Sequence, residues 1–290
     1  MLKHLWILFI ISTTAIFGRT QGPIDGFMKG KGNADIAIGM GINRSSSYTG
    51  ATDSIYDLSY GAEQLSFFGQ YGFTDKLDAV LSVPFVFGAS ENKLQDLGLH
   101  LKYRPLHKTW NNHEWSTLIS GGISFPASNY EADVSGALGR REKKLPFRLI
   151  SQFKTSNGFF INFTGAYFVR FDKVSEEQLS EYQQIVPSFD PQQPSDNYSL
   201  MLRFGWAGAH NFFEAFAEYQ NTIDGIDFKR GISQPIQLYE VDFLKIGGTY
   251  YYGGKDNGVA ANFAFIPGLR RNIGNIIFAG VSFILKYRPE

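Results

Sequence analysis

The sequence predicts an all-β fold: a transmembrane, antiparallel, up-and-down β-barrel of about twelve strands behind a cleaved signal peptide. Three observations lead there. Segments of about ten residues alternate strictly between apolar and polar-or-charged positions. The chain starts like a secreted protein yet has no later apolar run long enough for a membrane helix. The composition is rich in aromatic residues and glycine, with 27 Phe, 15 Tyr and 31 Gly, and contains no Cys.

The alternation is clearest between Leu77 and Arg104. Leu77, Ala79, Leu81, Val83, Phe85 and Phe87 share one parity, and Asp78, Val80, Ser82, Pro84 and Val86 the other. Past a polar hinge, Leu97, Leu99, Leu101 and Tyr103 alternate with Asp96, Gly98, His100, Lys102 and Arg104. A period of two puts the two sets on opposite sides of a sheet. A greasy, aromatic-edged side opposite one that carries His, Lys and Arg is the pattern of a membrane barrel, apolar outside and polar inside.

The N-terminus fits. Lys3 supplies a short positive region, Leu5 to Phe17 an apolar run, and Gly18 and Thr20 the small residues that precede cleavage before Gln21. The run is short for a bilayer span and reads as a signal peptide. Residues 1–20 are therefore assigned as signal and 21–290 as one outer-membrane barrel. No Cys follows for a lipid anchor, and a chain without membrane helices crosses lipid only as a closed barrel.

Removing Lys3 and Arg19 from the 27 basic residues leaves 25 against 27 acidic ones. No basic run interleaved with aromatics points to nucleic acid. Disulfides and Cys-based metal sites are excluded.

Twelve strands are expected, roughly Asn33–Asn43, Ser59–Gly72, Leu77–Gly88, Gln95–Arg104, Glu114–Ala127 and Leu145–Thr155. The second half is expected to supply Gly158–Phe171, Asn197–Ala207, Asn211–Asn221, Leu238–Tyr252, Gly258–Gly268 and Asn275–Arg288. An even count returns both ends to the periplasmic side. Odd connections read as mostly long and polar, even ones as mostly tight, which is the outside–periplasm asymmetry of such barrels. The Arg104–His113 connection is longer than its class requires. The longest loop holds Pro187, Pro191 and Pro194. Thr74-Asp75-Lys76 reads as a tight turn whose Thr and Asp side chains hold freed amides. Pro84 marks a bulge or a strand exit, and Pro126 a strand end, because proline cannot donate to a ladder. Lys245 is read as breaking the alternation of its strand through a bulge.

Several of these segments carry a resemblance. Tyr71-Gly72-Phe73-Thr74-Asp75-Lys76-Leu77 resembles the Tyr-Gly-Leu-Thr-Asp-Arg-Leu signature of the outer-membrane transporter family named for the meta-pathway of phenol degradation. Val83-Pro84-Phe85 is similar to that family's next step, and Asp96-Leu97 with Lys102-Tyr103-Arg104 to its Gly-Asp-Leu strand ending Lys-Tyr-Arg, with Gln95 in place of the Gly. Gly121-Gly122-Ile123-Ser124-Phe125-Pro126 and Gly280-Val281-Ser282-Phe283 with Lys286-Tyr287-Arg288 are similar to two later strands. The chain departs from the usual terminal aromatic by closing on Tyr287-Arg288-Pro289-Glu290. The resemblance implies an outer-membrane barrel of a Gram-negative bacterium that passes small organic solutes, aromatic or hydrophobic ones among them. It supplies no catalytic residues. Outer-membrane lipid, a small organic solute and the barrel-assembly machinery are the expected partners; no cofactor is expected.

By alternation, the candidate lumen residues are His100, Lys102, Arg104, Arg148, Gln152, Lys154, Asn162, Arg170, Arg203, Glu214 and Glu218, with Thr164 and Gln220 beside them. Charges of both signs across a narrow lumen either orient and select a solute or pair with each other and close it. Both remain open at this point. A non-transporting barrel whose long loops bind a partner is the main alternative, and a soluble β-sandwich also fits part of the pattern. A barrel hydrolase is less well supported: only His100 of the mature chain's four His falls in an expected strand, without a nucleophile system around it. His107 and His113 share one connection, and their spacing without an acidic cluster is a weak metal signal. No metal site and no enzymatic activity are expected.

Overall fold

The computed structural model describes residues 24–49, 55–56, 60–88, 91–130, 141, 143–171, 196–223, 240–267 and 273–289. The expected signal peptide and the loop with Pro187, Pro191 and Pro194 lie outside these residues. Among the described residues there is no helix, and alternation does form strands: β1 (Ala34–Thr49), β2 (Ile55–Tyr56), β3 (Tyr60–Thr74), β4 (Leu77–Phe87), β5 (Asn92–Leu94), β6 (Asp96–Trp110), β7 (His113–Pro126), β8 (Lys144–Lys154), β9 (Phe159–Arg170), β10 (Asn197–Ala207), β11 (Asn211–Thr222), β12 (Asp242–Gly253), β13 (Asn257–Ile266) and β14 (Ile273–Tyr287).

Every strand pairs antiparallel with its neighbour, and β14 returns to β1 from Ala34 opposite Tyr287 to Thr49 opposite Ile273, which closes the sheet. The two short strands are appendages: β2 pairs with the end of β1 and β5 with β4. The other twelve form the barrel, so among the described residues no lipid-facing edge is left with unpaired backbone.

The barrel is inside-out relative to a soluble protein. Leu99 and Leu101 on β6 are 49% and 52% exposed, while Lys102 between them and Tyr103 is 0% exposed. Exposed rings such as Tyr71, Phe73, Tyr103, Tyr250, Tyr252 and Tyr287 gather near the strand ends that carry the tight turns. That arrangement is an aromatic girdle at a membrane interface, and the short-turn end is the periplasmic one.

Three local expectations change. The Arg104–His113 stretch is not a loop. β6 and β7 continue past the rim, with a register shift between Tyr103 and Leu106, to a two-residue turn between Trp110 and His113. Asn111 (φ 47°) and Asn112 (φ 61°) take the left-handed conformations that such a hairpin requires. Lys245 does not break the alternation. The β11–β12 register runs unshifted from Asn211 opposite Tyr252 to Asn221 opposite Asp242, and Lys245 faces inward opposite Glu218. In the Thr74 turn, Thr74 Oγ1 does accept from the Lys76 amide at 3.1 Å, but Asp75 Oδ1 accepts instead from the amide of Lys31, also at 3.1 Å.

Pro84 behaves as its chemistry requires. Ser82 faces Gly98 and Phe85 faces Leu94, so the pairing of β4 slips across the proline. Residues 24–33 form no strand; they enter the lumen at the periplasmic end. Gly30 (φ 79°) and Gly32 (φ 77°) turn the chain back on itself before β1, a conformation glycine adopts without steric cost. Gly32 N donates to Gly72 O at 2.8 Å, and Gly72 N to Asn33 O at 2.9 Å. A Cβ on Gly72 would lie 2.0 Å from Gly30 O, so this approach needs glycine.

Candidate functional site

The inner wall is built by the polar parity of each strand. Its middle is basic on the β6–β10 side. Arg148 on β8 lies with Nη1 3.4 Å from His100 Nδ1 on β6, and its guanidinium carbon is 5.4 Å from the Phe168 ring centroid on β9. Lys144 approaches the same ring at 5.9 Å. Arg203 on β10 is 7% exposed; its Nε donates to Met201 Sδ at 2.8 Å, and its Nη1 is buried without a hydrogen-bond partner. Ser120, directly across from Arg148, also has a buried, unpartnered hydroxyl. Buried donors of this kind call for water or solute.

The acids stand on β11. Glu218 pairs with Lys245 of β12. Glu214 accepts from Thr249 Oγ1 at 3.4 Å. Neither carboxylate holds Arg148 or Arg203 in an ion pair among the described residues. Within the basic wall, Asn162 Nδ2 on β9 donates to Gln152 Oε1 on β8 at 3.3 Å and Thr164 Oγ1 to Asn162 Oδ1 at 3.0 Å.

Toward the periplasm the lumen holds the N-terminal segment. Lys102 Nζ, wholly buried, donates to Phe27 O at 2.5 Å and lies 3.3 Å from Asp25 Oδ1 and 3.9 Å from Asp78 Oδ2. Gln70 Nε2 donates to the same Asp78 oxygen at 2.7 Å, and the Lys29 amide reaches it at 2.9 Å. The Phe27 ring meets Phe160 edge-on at 5.1 Å and Phe212 at 5.8 Å, while those two rings stack at 5.4 Å. Gly205 lies between them on β10, where a Cβ would be 3.0 Å from Phe160 Cζ. Lys29 and Arg288 both hold Asp35, at 2.5 and 2.6 Å.

The eleven candidates therefore do not converge on one point. His100, Arg148, Arg203, Glu214 and Glu218 face the middle of the lumen, with Gln152 and Asn162 beside them. Lys102 anchors the N-terminal segment. Arg170 lies buried at the outer end of β9, across from Lys144. Arg104 and Lys154 belong to the periplasmic rim, where Arg104 Nη2 donates to Asp75 O at 2.8 Å and Lys154 lies 3.3 Å from Glu114. His107 lies in β6 with Nδ1 3.0 Å from Ser116 Oγ, whereas the His113 ring stacks on Phe153 at 5.8 Å. The two histidines thus serve different neighbours. Alternation had already put Asp78 on the inner face, but nothing in it marked Asp78 as a partner of Lys102; Lys245 was masked by the supposed bulge. Asp25 and Phe27 carried no periodic signal at all.

No protein-family model matches the sequence, and no curated protein does. Among solved structures, an outer membrane channel from Pseudomonas putida F1 superposes with a TM-score of 0.66 at 11% identity, covering 91% of this chain and 99% of that one. The NanC porin superposes with a TM-score of 0.55 at 8% identity, over 88% of this chain and all of the porin. The shared feature at such identities is the fold, that of outer-membrane barrels.

Proposed function

We propose that this protein is an outer-membrane channel that admits a small organic solute, and that Arg148 and Arg203 bias it toward solutes carrying an anionic group. The observation that carries this reading is a lumen in which, among the described residues, no carboxylate lies within ion-pair distance of Arg148 or Arg203, Glu218 and Glu214 acting on them only from farther away. Glu218 is already neutralised by Lys245, which leaves Glu214 as the acid facing them. Fixed positive charge in a narrow, low-dielectric passage concentrates anions. The fold shared with the Pseudomonas putida F1 channel and the NanC porin is consistent with this reading. So is the resemblance of residues 71–77 and the later segments to the phenol meta-pathway transporters. The same reading has residues 1–20 removed as a signal peptide and the barrel inserted by the outer-membrane assembly machinery. It assigns no enzymatic chemistry to the barrel.

The test is the reversal potential across planar bilayers in a salt gradient. Wild type should prefer anions, and Arg148→Gln with Arg203→Gln should lose most of that preference while the barrel stays folded. If neither the folded wild type nor a folded variant lacking residues 24–30 shows conductance or solute uptake, the reading is refuted and the function returns to the surface loops.

A further inference from the structure

We propose that Asp25-Gly26-Phe27 is an internal ligand: it closes the channel by occupying a solute site whose chemistry fits a small aromatic carboxylate. The inference rests on the channel reading above, and it starts from how the segment is held. Within three residues it touches strands right across the lumen. Asp25 and the Phe27 carbonyl meet Lys102 on β6. Gly26 lies against Gln152 on β8, where a Cβ would be 2.3 Å from Oε1. The Phe27 ring lies against Phe160 on β9 and Phe212 on β11. Two residues on, the Lys29 amide reaches Asp78 on β4. A segment in contact with β4, β6, β8, β9 and β11 leaves little of a twelve-strand lumen open on its level.

The groups it satisfies are those of a ligand site. Lys102 receives two oxygens from the segment, the Asp25 carboxylate and the Phe27 carbonyl, as it would receive the two oxygens of one carboxylate. Phe160 and Phe212 present an aromatic corner that the Phe27 ring fills edge-on, the geometry aromatic rings prefer. An acid group and a phenyl ring, two residues apart in the segment, are also the two parts of an aryl acid. The barrel is built to survive their departure. Asp78, itself held by Gln70, stays 3.9 Å from Lys102, so a vacated site keeps its charge compensated until solute arrives. The Ser120 hydroxyl, cross-strand neighbour of Lys102, and the unpartnered Nη1 of Arg203 leave donors on the wall for an incoming anion.

The chain has no Cys, so a disulfide between Gly26→Cys and Gln152→Cys locks the segment in place with no competing thiol. Their β-carbons would lie 2.7 Å apart, and a small shift brings them to disulfide spacing. In planar bilayers the oxidised variant should be silent and regain wild-type openings on reduction. Deletion of residues 24–30 should raise mean conductance several-fold over wild type. Sodium benzoate should speed amide exchange of residues 24–33 several-fold in detergent-solubilised wild type. Acetate, which lacks the ring, and benzyl alcohol, which lacks the charge, should not.

Unchanged conductance in the oxidised variant overturns the plug. So does a folded deletion variant, verified by heat-modifiable migration, that conducts like wild type. Equal effects of benzoate and acetate overturn the aromatic site. If benzoate displaces the segment but neither wild type nor the deletion conducts, the site stands and the channel reading falls.

Discussion

Replacing Leu99 by Arg tests the orientation of every side chain in the barrel. Leu99 is half exposed and faces Leu81 on β4 and Ile123 on β7, both on the outer surface. Tyr103, four residues along β6, marks the periplasmic girdle. At about 3.3 Å per residue, Leu99 lies roughly 13 Å along the strand from that level. With the strand tilted by about 40°, that is roughly 10 Å in depth, close to the middle of an apolar band of about 25 Å. A guanidinium there should cost about 2–4 kcal/mol, or roughly 30- to 900-fold in the folding equilibrium. The assay is reversible urea unfolding from phospholipid vesicles. Its control must be an inward site with room for charge. Ser82 does not qualify, because a Cβ on neighbouring Gly98 would already lie 2.6 Å from its Oγ, and His100 would place a new cation against Arg148. Thr249 qualifies, since its hydroxyl is 3.4 Å from the Glu214 carboxylate, which an arginine there would meet. Thr249→Arg should cost less than about 1 kcal/mol, in the range of ordinary polar surface changes. Equal penalties at Leu99 and Thr249 refute the inside-out assignment.

Lys102→Met should destabilise the barrel by about 3–5 kcal/mol, because Asp25 and Asp78 are left as buried carboxylates without their cation; the same urea titration reads it, and a loss below about 1 kcal/mol means water reaches both acids. Gly72→Ala should expel the N-terminal segment, since the added methyl collides with Gly30 O; amide exchange should rise across residues 24–33 and stay unchanged in β8–β11. Asn112→Val should cost about 1–2 kcal/mol, because a β-branched residue is strained at φ 61°, whereas Asn112→Gly should be neutral or better in thermal unfolding.

The strands were largely legible in the sequence because their signal is local. Alternation at a period of two, with Gly, Pro, Asn and Asp at the reversals, set β10 at Asn197–Ala207 and brought most other boundaries within two or three residues. It also turned His100, Arg148, Arg203 and Glu214 inward. Where local cues competed, the reading failed. A ten-residue polar stretch looked like a loop, yet Asn111-Asn112 supplied a hairpin turn that lets β6 and β7 run on beyond the rim.

What only the tertiary structure decided is who meets whom across the lumen. Alternation puts Glu218 on the same side as Arg203 but left Lys245 to a supposed bulge; strand order and register make Lys245 the partner of Glu218. Asp25 and Lys102 are 77 residues apart, and Phe27 reaches rings on β9 and β11. Residues 24–33 form no strand and so carry no period to read. Their place in the lumen follows from a closed barrel wide enough to admit a segment and from the buried Lys102 ammonium and the Phe160 and Phe212 rings inside it. Those conditions exist only after twelve distant strands have closed.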